Sequence, residues 1–243
     1  MNDLVDRVLR AHGGPDRWSG IDSLNADVVF GGPFWRIRGF SERPFGAKVT
    51  VDTRRERIRF SPWTALGRDL TFHADEDAVE LRTPGDEVLE RRTGVRAGFT
   101  GYDLSSPWES VQVGYFIGYA MWNYLNTPFL FTRPGVRTRE VAPWSEGGEV
   151  WRRLRVTFPE DIATHCAEQT FYFGGDGMLR RLDYDVDVNV GVPVAHYVGA
   201  YREFGGIVFP TRRRVHRRNP DNSASDNWSI DIEVQDVRVC RPD

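Results

Sequence analysis

Lysine is almost absent from this chain. Lys48 is the single example, and the rest of the 32 basic residues are arginine. We read that bias as the imprint of a GC-rich bacterial genome, with no chemistry of its own. Cysteine is nearly as scarce: Cys166 and Cys240 stand alone and share no regular spacing. That excludes a disulfide framework and paired zinc ligands, and it points to a reducing, cytoplasmic setting. The five histidines, His12, His73, His165, His196 and His216, never fall at helical ligand spacing, and no HExxH is present. No metal is therefore expected. No glycine-rich loop opens a helix, because Gly31-Gly32-Pro33 and Gly174-Gly175-Asp176-Gly177 both separate strand patterns. That argues against a dinucleotide or nucleotide, and no cofactor is expected. A Gly-x-Ser-x-Gly elbow is also missing, and Cys166 beside His165 would face the opposite side of a strand.

Long apolar runs are missing too. Residues 113–131 come nearest to the roughly 18 needed for a span, but they carry three tyrosines, two asparagines and a proline. The opening MNDLVDRVLRAHGG is amphipathic and acidic at Asp3 and Asp6, unlike a secretory signal. A net charge of −3 gives no electrostatic reason to bind nucleic acid or an anionic membrane. What remains is 243 residues, 40% hydrophobic and 13% aromatic, enough for one large β-rich domain covering residues 1–243.

Asn2 or Asp3 is placed to cap a first helix running to about Ala11, with Leu4, Val5, Val8 and Leu9 on its apolar face. From Leu24 the period falls to two, through Ala26, Val28 and Phe30. Further strands are expected at Phe34–Phe40, Ala47–Thr53, Arg57–Phe60, Asp69–Ala74 and Ala78–Arg82, then a loop over residues 85–104. A second set follows at Val136–Ala142, Trp151–Phe158, His165–Phe173, Met178–Val188, Ala195–Phe204, Ile207–Arg217 and Asp226–Val239. No helix-sized connection interrupts either set, so both read as antiparallel meanders.

Between them lies SSPWESVQVGYFIGYAMWNYLNTPFLF, residues 105–131. Ser106 suits a helix cap, Pro107 the first turn, and Glu109 the closing position of a capping box. Trp108, Val111, Tyr115, Tyr119, Trp122 and Leu125 recur at spacings of three and four, and Phe116, Ile117 and Met121 widen the stripe. Such a helix is buried on nearly every side. It is either simply the core helix or also, through Tyr115, Tyr119, Trp122 and Tyr124, the wall of a ligand cavity.

Alternation assigns the second meander's faces. Leu182, Tyr184, Val186, Val188 and Val190 point one way; Asp183, Asp185, Asp187 and Asn189 the other, toward water. The arginines of residues 211–218 are expected to pair across strands with such carboxylates, not with nucleic acid. Arg213 is the exception. It falls on the apolar face and there needs an anion, a carboxylate or a carbonyl. His165 and His196 lie on neighbouring strand candidates, with Glu168, Tyr172 and Tyr184 close in sequence. An imidazole, a carboxylate and a phenol in a dry cavity are the materials of proton transfer. The plainer alternative is two sheet histidines bonded to hydroxyls.

Three segments carry a resemblance. AHGGPDRWSGIDSL at 11–24, YFGGDGMLRRLDY at 172–184 and AHYVGAYREFGGIVFPTRRRV at 195–215 resemble the opening helix and consecutive hairpins of the LolA/LppX lipoprotein-carrier superfamily. The resemblance implies a mainly β (α+β) fold: one strongly curved antiparallel sheet, a half-barrel, wrapped around a central apolar helix with a short N-terminal helix. It also implies an apolar cavity, which in those carriers holds acyl chains; the chain lacks their export signal and lipobox cysteine. The first expectation is a protein that binds an apolar small molecule, such as an acyl chain, polyketide or terpenoid. Tyr115, Tyr119, Trp122, Tyr124, Tyr172 and Arg213 would hold it. The alternative is a cofactor-free cyclase or isomerase in which His165, His196, Tyr184 and Glu168 move protons. A third reading is a pocketless interaction protein whose aromatics fill the core.

Overall fold

The computed structural model describes residues 3–63 and 67–242. Helix α1 (Asp3–Ala11) buries Leu4, Val5, Val8 and Leu9, as its spacing requires. Asp3 is already its first residue, and Asn2, the other expected cap, lies outside the described residues. A short α2 (Pro15–Ser19) leads into β1 (Ser23–Gly31). The first meander continues through β2 (Phe45–Asp52), β3 (Arg57–Ser61), β4 (Asp69–His73), β5 (Ala78–Arg82) and β6 (Val88–Arg92). Helix α4 (Ser110–Asn126) carries the chain across to β7 (Arg137–Glu146). From there β8 (Glu149–Thr157), β9 (Glu168–Phe173), β10 (Leu179–Val186), β11 (Val192–Phe204), β12 (Ile207–Arg218) and β13 (Ala224–Cys240) run back.

The strands form one antiparallel sheet ordered β6-β5-β4-β3-β2-β1-β13-β12-β11-β10-β9-β8-β7. The first meander runs outward from the middle to one edge, and the second runs inward from the other edge until β13 pairs with β1. Helix α4 packs on β3, β4 and β5, yet its Tyr124 touches Tyr184 of β10 and Arg213 of β12. One helix reaches both halves because the sheet curls around it as an unclosed half-barrel. Every residue from Val111 to Asn126 is buried.

Two glycines fix how closely α4 lies on the sheet. A Cβ at Gly114 would sit 2.1 Å from Leu70 Cδ1, and one at Gly118 2.5 Å from Phe72 Cβ. Both neighbours belong to β4, so the helix backbone rests directly on that strand.

Several expectations are corrected. Phe34–Phe40 is no strand: α3 (Phe34–Ile37) forms there, with Phe34 and Trp35 both buried. Adjacent residues on a strand face opposite sides, so burying both against one core favours a helical turn. Gly32 permits the entry, since a Cβ there would lie 2.4 Å from the Ser229 carbonyl oxygen. The 85–104 loop contains the edge strand β6. Helix α4 begins three residues later than Ser106 predicts, with Glu109 as cap and Gln112 as its box partner. Ser106 is otherwise engaged, because the Asp103 carboxylate accepts both its hydroxyl and its amide at 2.9 and 2.8 Å. Strand β9 starts at Glu168, leaving His165 in the preceding turn. Strand β10 ends at Val186, so the alternation stops there and Val190 is exposed.

Asp183 is the clearest correction. Arg218 pairs with Asp185 at 2.8 Å and Arg214 with Asp231 at 3.5 Å, as expected of a solvated face. Asp183, however, is 2% exposed. Arg181 grips it through two contacts of 2.6 and 2.9 Å, and the Tyr172 hydroxyl donates to it at 2.6 Å. Arg181 also reaches Glu146 at 2.9 Å and the Asn222 carbonyl at 2.8 Å. The convex face is therefore covered here by the β7–β8 hairpin and the β12–β13 tip.

Candidate functional site

A cavity of about 370 Å³ lies between α3, α4 and the concave face of β1 and β10–β13. The helix contributes Phe116, Ile117, Ala120, Met121 and Tyr124, one stripe at spacings of three and four. The sheet contributes alternate residues: Tyr184 and Val186, Val192 and Val194, Ile230 and Ile232. Phe34 and Trp35 close one end. At the mouth stand Ile37, Leu104 and Trp228, 49%, 49% and 39% exposed. Apolar side chains that stay exposed around an apolar hollow mark a contact surface better than scattered surface hydrophobes do. The volume falls at the small end of ordinary ligand sites.

Tyr124 and Tyr184 form part of the cavity wall and also the middle of a buried hydrogen-bonded chain. Their hydroxyls meet at 2.9 Å. Tyr124 Oη lies 2.7 Å from His165 Nε2, and Tyr119 Oη lies 3.0 Å from His165 Nδ1. Tyr184 Oη lies 3.1 Å from His196 Nδ1. The rings of His165 and Tyr184 stack at 4.0 Å, 4° from parallel. The order is Tyr119–His165–Tyr124–Tyr184–His196. The helix turn brings in Tyr119 and Tyr124, alternation on β10 and β11 aims Tyr184 and His196 inward, and the turn before β9 supplies His165.

Burial sets the protonation states. It holds His165 down at about 3 and His196 well below the usual imidazole range, with nearby arginine charge acting the same way. Burial also pushes Tyr124 up to about 12 and Tyr184 well above the phenol range. At neutral pH all five groups are uncharged. Protons can be ordered along the chain in two directions. In one, His196 Nδ1–H donates to Tyr184, Tyr184 to Tyr124, Tyr124 to His165 Nε2, and His165 Nδ1–H to Tyr119. In the other, every bond reverses. His196 Nε2 has no partner in either case. It is a vacant acceptor in the first order and a buried unpaired donor in the second.

No family model matches the chain, and no curated protein does. Solved structures do. A LolA superfamily protein from Nitrosomonas europaea superposes with a TM-score of 0.57 at 10% identity, over 98% of this chain and 93% of that one. The chain has the LolA fold. Weaker likenesses reach a DUF1329 family protein from Desulfovibrio piger, with TM-score 0.46, 12% identity and 97% and 91% of the two chains. The lipoprotein LppX from Mycobacterium tuberculosis follows, with TM-score 0.30, 11% identity and 97% and 95% coverage. The half-barrel expected from the three resembling segments is thus observed.

Within this LolA-like fold the residues singled out in the sequence divide into three groups. Tyr124 and Tyr184 line the cavity, and Tyr119, His165 and His196 stand directly behind them. Arg213 is also behind the wall. Its guanidinium lies 4.6 Å above the Tyr124 ring and donates to the Tyr124 carbonyl at 3.1 Å, so the carbonyl among the three expected partners is the one present. The others lie elsewhere. Trp122 donates to the Asp52 carbonyl at 2.7 Å, beneath Arg133. Tyr115 packs edge-on against Phe72. Tyr172 faces the convex network, and Glu168 points to solvent near Arg155 at 3.4 Å. A helix apolar on all sides does not disclose which side faces the void, and this is why the cavity stripe Phe116–Ala120–Met121 was not singled out. Away from the cavity, His73, Asp75 and Glu76 bring ligand-type atoms within 4.8 Å of one another, but Glu76 is already paired with Arg91.

Proposed function

We propose that the protein binds an apolar small molecule in the cavity between α4 and the concave sheet, as a single domain. An acyl chain, polyketide or terpenoid has the matching chemistry. The observation that carries this reading is the apolar hollow with its exposed apolar mouth, Ile37, Leu104 and Trp228. Burying an apolar ligand's surface there contributes roughly 25 cal/mol per Å² before the costs of association. A cytoplasmic setting is part of the proposal, supported by the two free thiols. Among the described residues no helix is long and apolar enough to cross a membrane.

Ala120 lines the cavity on α4 and gives the test. Ala120→Phe fills the hollow from a rigid element. We expect the uncharged dye N-phenyl-naphthylamine to bind the variant at least about tenfold more weakly, a change of about 1.4 kcal/mol. Unchanged dye affinity in a folded variant contradicts the site.

A second reading, a cofactor-free cyclase or isomerase, is favoured by the relay alone. Tyr124 and Tyr184 touch both the cavity and two buried imidazoles, so a proton taken from a bound molecule has a path from one hydroxyl to the other. His165, His196 and Tyr184 would serve it, and Glu168 lies too far out to share it. With both imidazoles neutral, the exchange would balance within the cavity: Tyr184 takes a proton from one atom of the bound molecule, its own hydroxyl proton passes to Tyr124, and Tyr124 returns one to another atom, while His165 and His196 orient the two hydroxyls. Tyr184→Phe cuts the path. Any turnover must then collapse, and turnover that survives the substitution removes the enzyme reading.

A further inference from the structure

The cavity is apolar but electrically one-sided. Its polar lining side chains outside the relay are Arg38, Arg217, Asn189, Asn227 and Ser229, and no carboxylate lines it. Arg38 is 1% exposed. Its guanidinium donates to the carbonyls of Asp103 and Ser106 at 3.0 and 2.8 Å and to the Asn189 side-chain oxygen, while its Nε has no partner. The Trp108 ring lies 4.5 Å away. These partners are neutral, and no carboxylate comes within ion-pair distance of Arg38 among the described residues. The Arg217 side chain, exposed at the mouth, has neither a hydrogen bond nor an ion pair among the described residues. Arg213, behind Tyr124, is 2% exposed and meets only a ring and a carbonyl.

Two of these three arginines, Arg38 and Arg213, are buried, and neither has an ion pair among the described residues. The other buried arginine, Arg181, holds the Asp183 carboxylate at 2.6 Å. A buried guanidinium held by dipoles has lost its water without gaining a counter-charge in contact, and Asp103 acts on Arg38 only from beyond ion-pair distance. A ligand that supplies an anion therefore binds better than its neutral counterpart, because the charge it brings meets cations already desolvated or oriented.

We propose that the cavity takes an anionic amphiphile. Its acidic head, carboxylate or phosphate, is met by Arg217 at the mouth and by the Arg38–Asn189 pair beside it, and its apolar body lies against Phe116, Met121 and Val194. This rests on the apolar-ligand reading and narrows it to one class. Asn227 lines the same cavity, whereas Ser229 already donates its hydroxyl to the Val215 carbonyl at 3.1 Å.

The test compares ligands of one chain length: dodecanoate, dodecyl phosphate and dodecanol, titrated at low salt against the whole protein. The expected result is at least about tenfold tighter binding of one or both anions than of the alcohol, with the preference shrinking as salt rises. Whichever anion binds more tightly identifies the head. In Arg217→Gln the anion-to-alcohol ratio falls by about tenfold; Arg217 is exposed, so this variant is expected to fold, whereas Arg38→Gln removes the bonds that hold the 103–106 loop. Equal binding of anions and alcohol by the unaltered protein overturns the anionic head and leaves the apolar reading standing. A preference that persists intact in Arg217→Gln overturns the role given to Arg217. Binding of none of the three overturns both readings together.

Discussion

Tyr184 is the residue on which the interior turns: it faces the cavity, stacks on His165 and bonds both Tyr124 and His196. Removing its hydroxyl leaves His196 Nδ1 without a partner and the Tyr124 hydroxyl with His165 alone. Tyr184→Phe is expected to lower unfolding free energy by about 1–3 kcal/mol, read from the denaturant midpoint. The two imidazoles give a sharper signature. Both are neutral in the folded protein, whereas an unfolded histidine takes up a proton below about pH 6.5. The unfolded state then holds more protons, so the contribution of His165 and His196 to stability is present above that pH and lost as pH falls through it. Glu56 acts oppositely, since burial raises its carboxyl well above the usual range. A direct readout avoids that cancellation: the imidazole nitrogen shifts of His165 and His196 should stay at neutral values from about pH 8 to about pH 5. A midpoint near 6.5 at either residue contradicts its burial. While His196 was legible only as a residue of a neighbouring strand, alternation alone placed Tyr184 on the apolar face. It misplaced Asp183, because two-residue periodicity tells which face a side chain takes and not whether another hairpin covers that face.

At the scale of elements, the contact between α4 and β4 decides where the cavity can be. Gly114 and Gly118 let the helix touch Leu70 and Phe72 on one side, and the space remains on the other. In a free helix Gly118→Ala would gain roughly 1 kcal/mol from propensity. Here the added methyl enters Phe72, which is fully buried, and overpacking of this kind costs about 1–3 kcal/mol. The steric effect is expected to win, giving a lower denaturant midpoint for Gly118→Ala; a higher one contradicts the close packing. The helix itself was legible as an all-round apolar stretch, but its start was not. The spacing gives Ser106 as cap and Glu109 only as the residue closing its box, and the Asp103 turn, which occupies Ser106, passes the cap to Glu109. The Phe34–Ile37 turn was hidden for a similar reason: its aromatics suit a strand, and the glycine entry that makes it helical depends on contact with Ser229, far away in the chain.

At the scale of the molecule, the two meanders join at β1 and β13 and curl around one helix. That architecture was readable from strand periods and one apolar stretch, since neither depends on which faces finally meet. The cavity was not readable in detail, because it is the difference between the volume the sheet encloses and the volume the helix fills. Its apolar floor, basic rim and exposed mouth converge from α3, α4, β12 and β13. The most direct test is a crystal of the protein grown with a bromine-tagged dodecanoate and measured at the bromine edge. The account predicts an anomalous peak between Phe116 or Met121 on α4 and Ile230 or Val194 on the sheet. A peak confined to the outer surface, or none at saturating ligand, contradicts it.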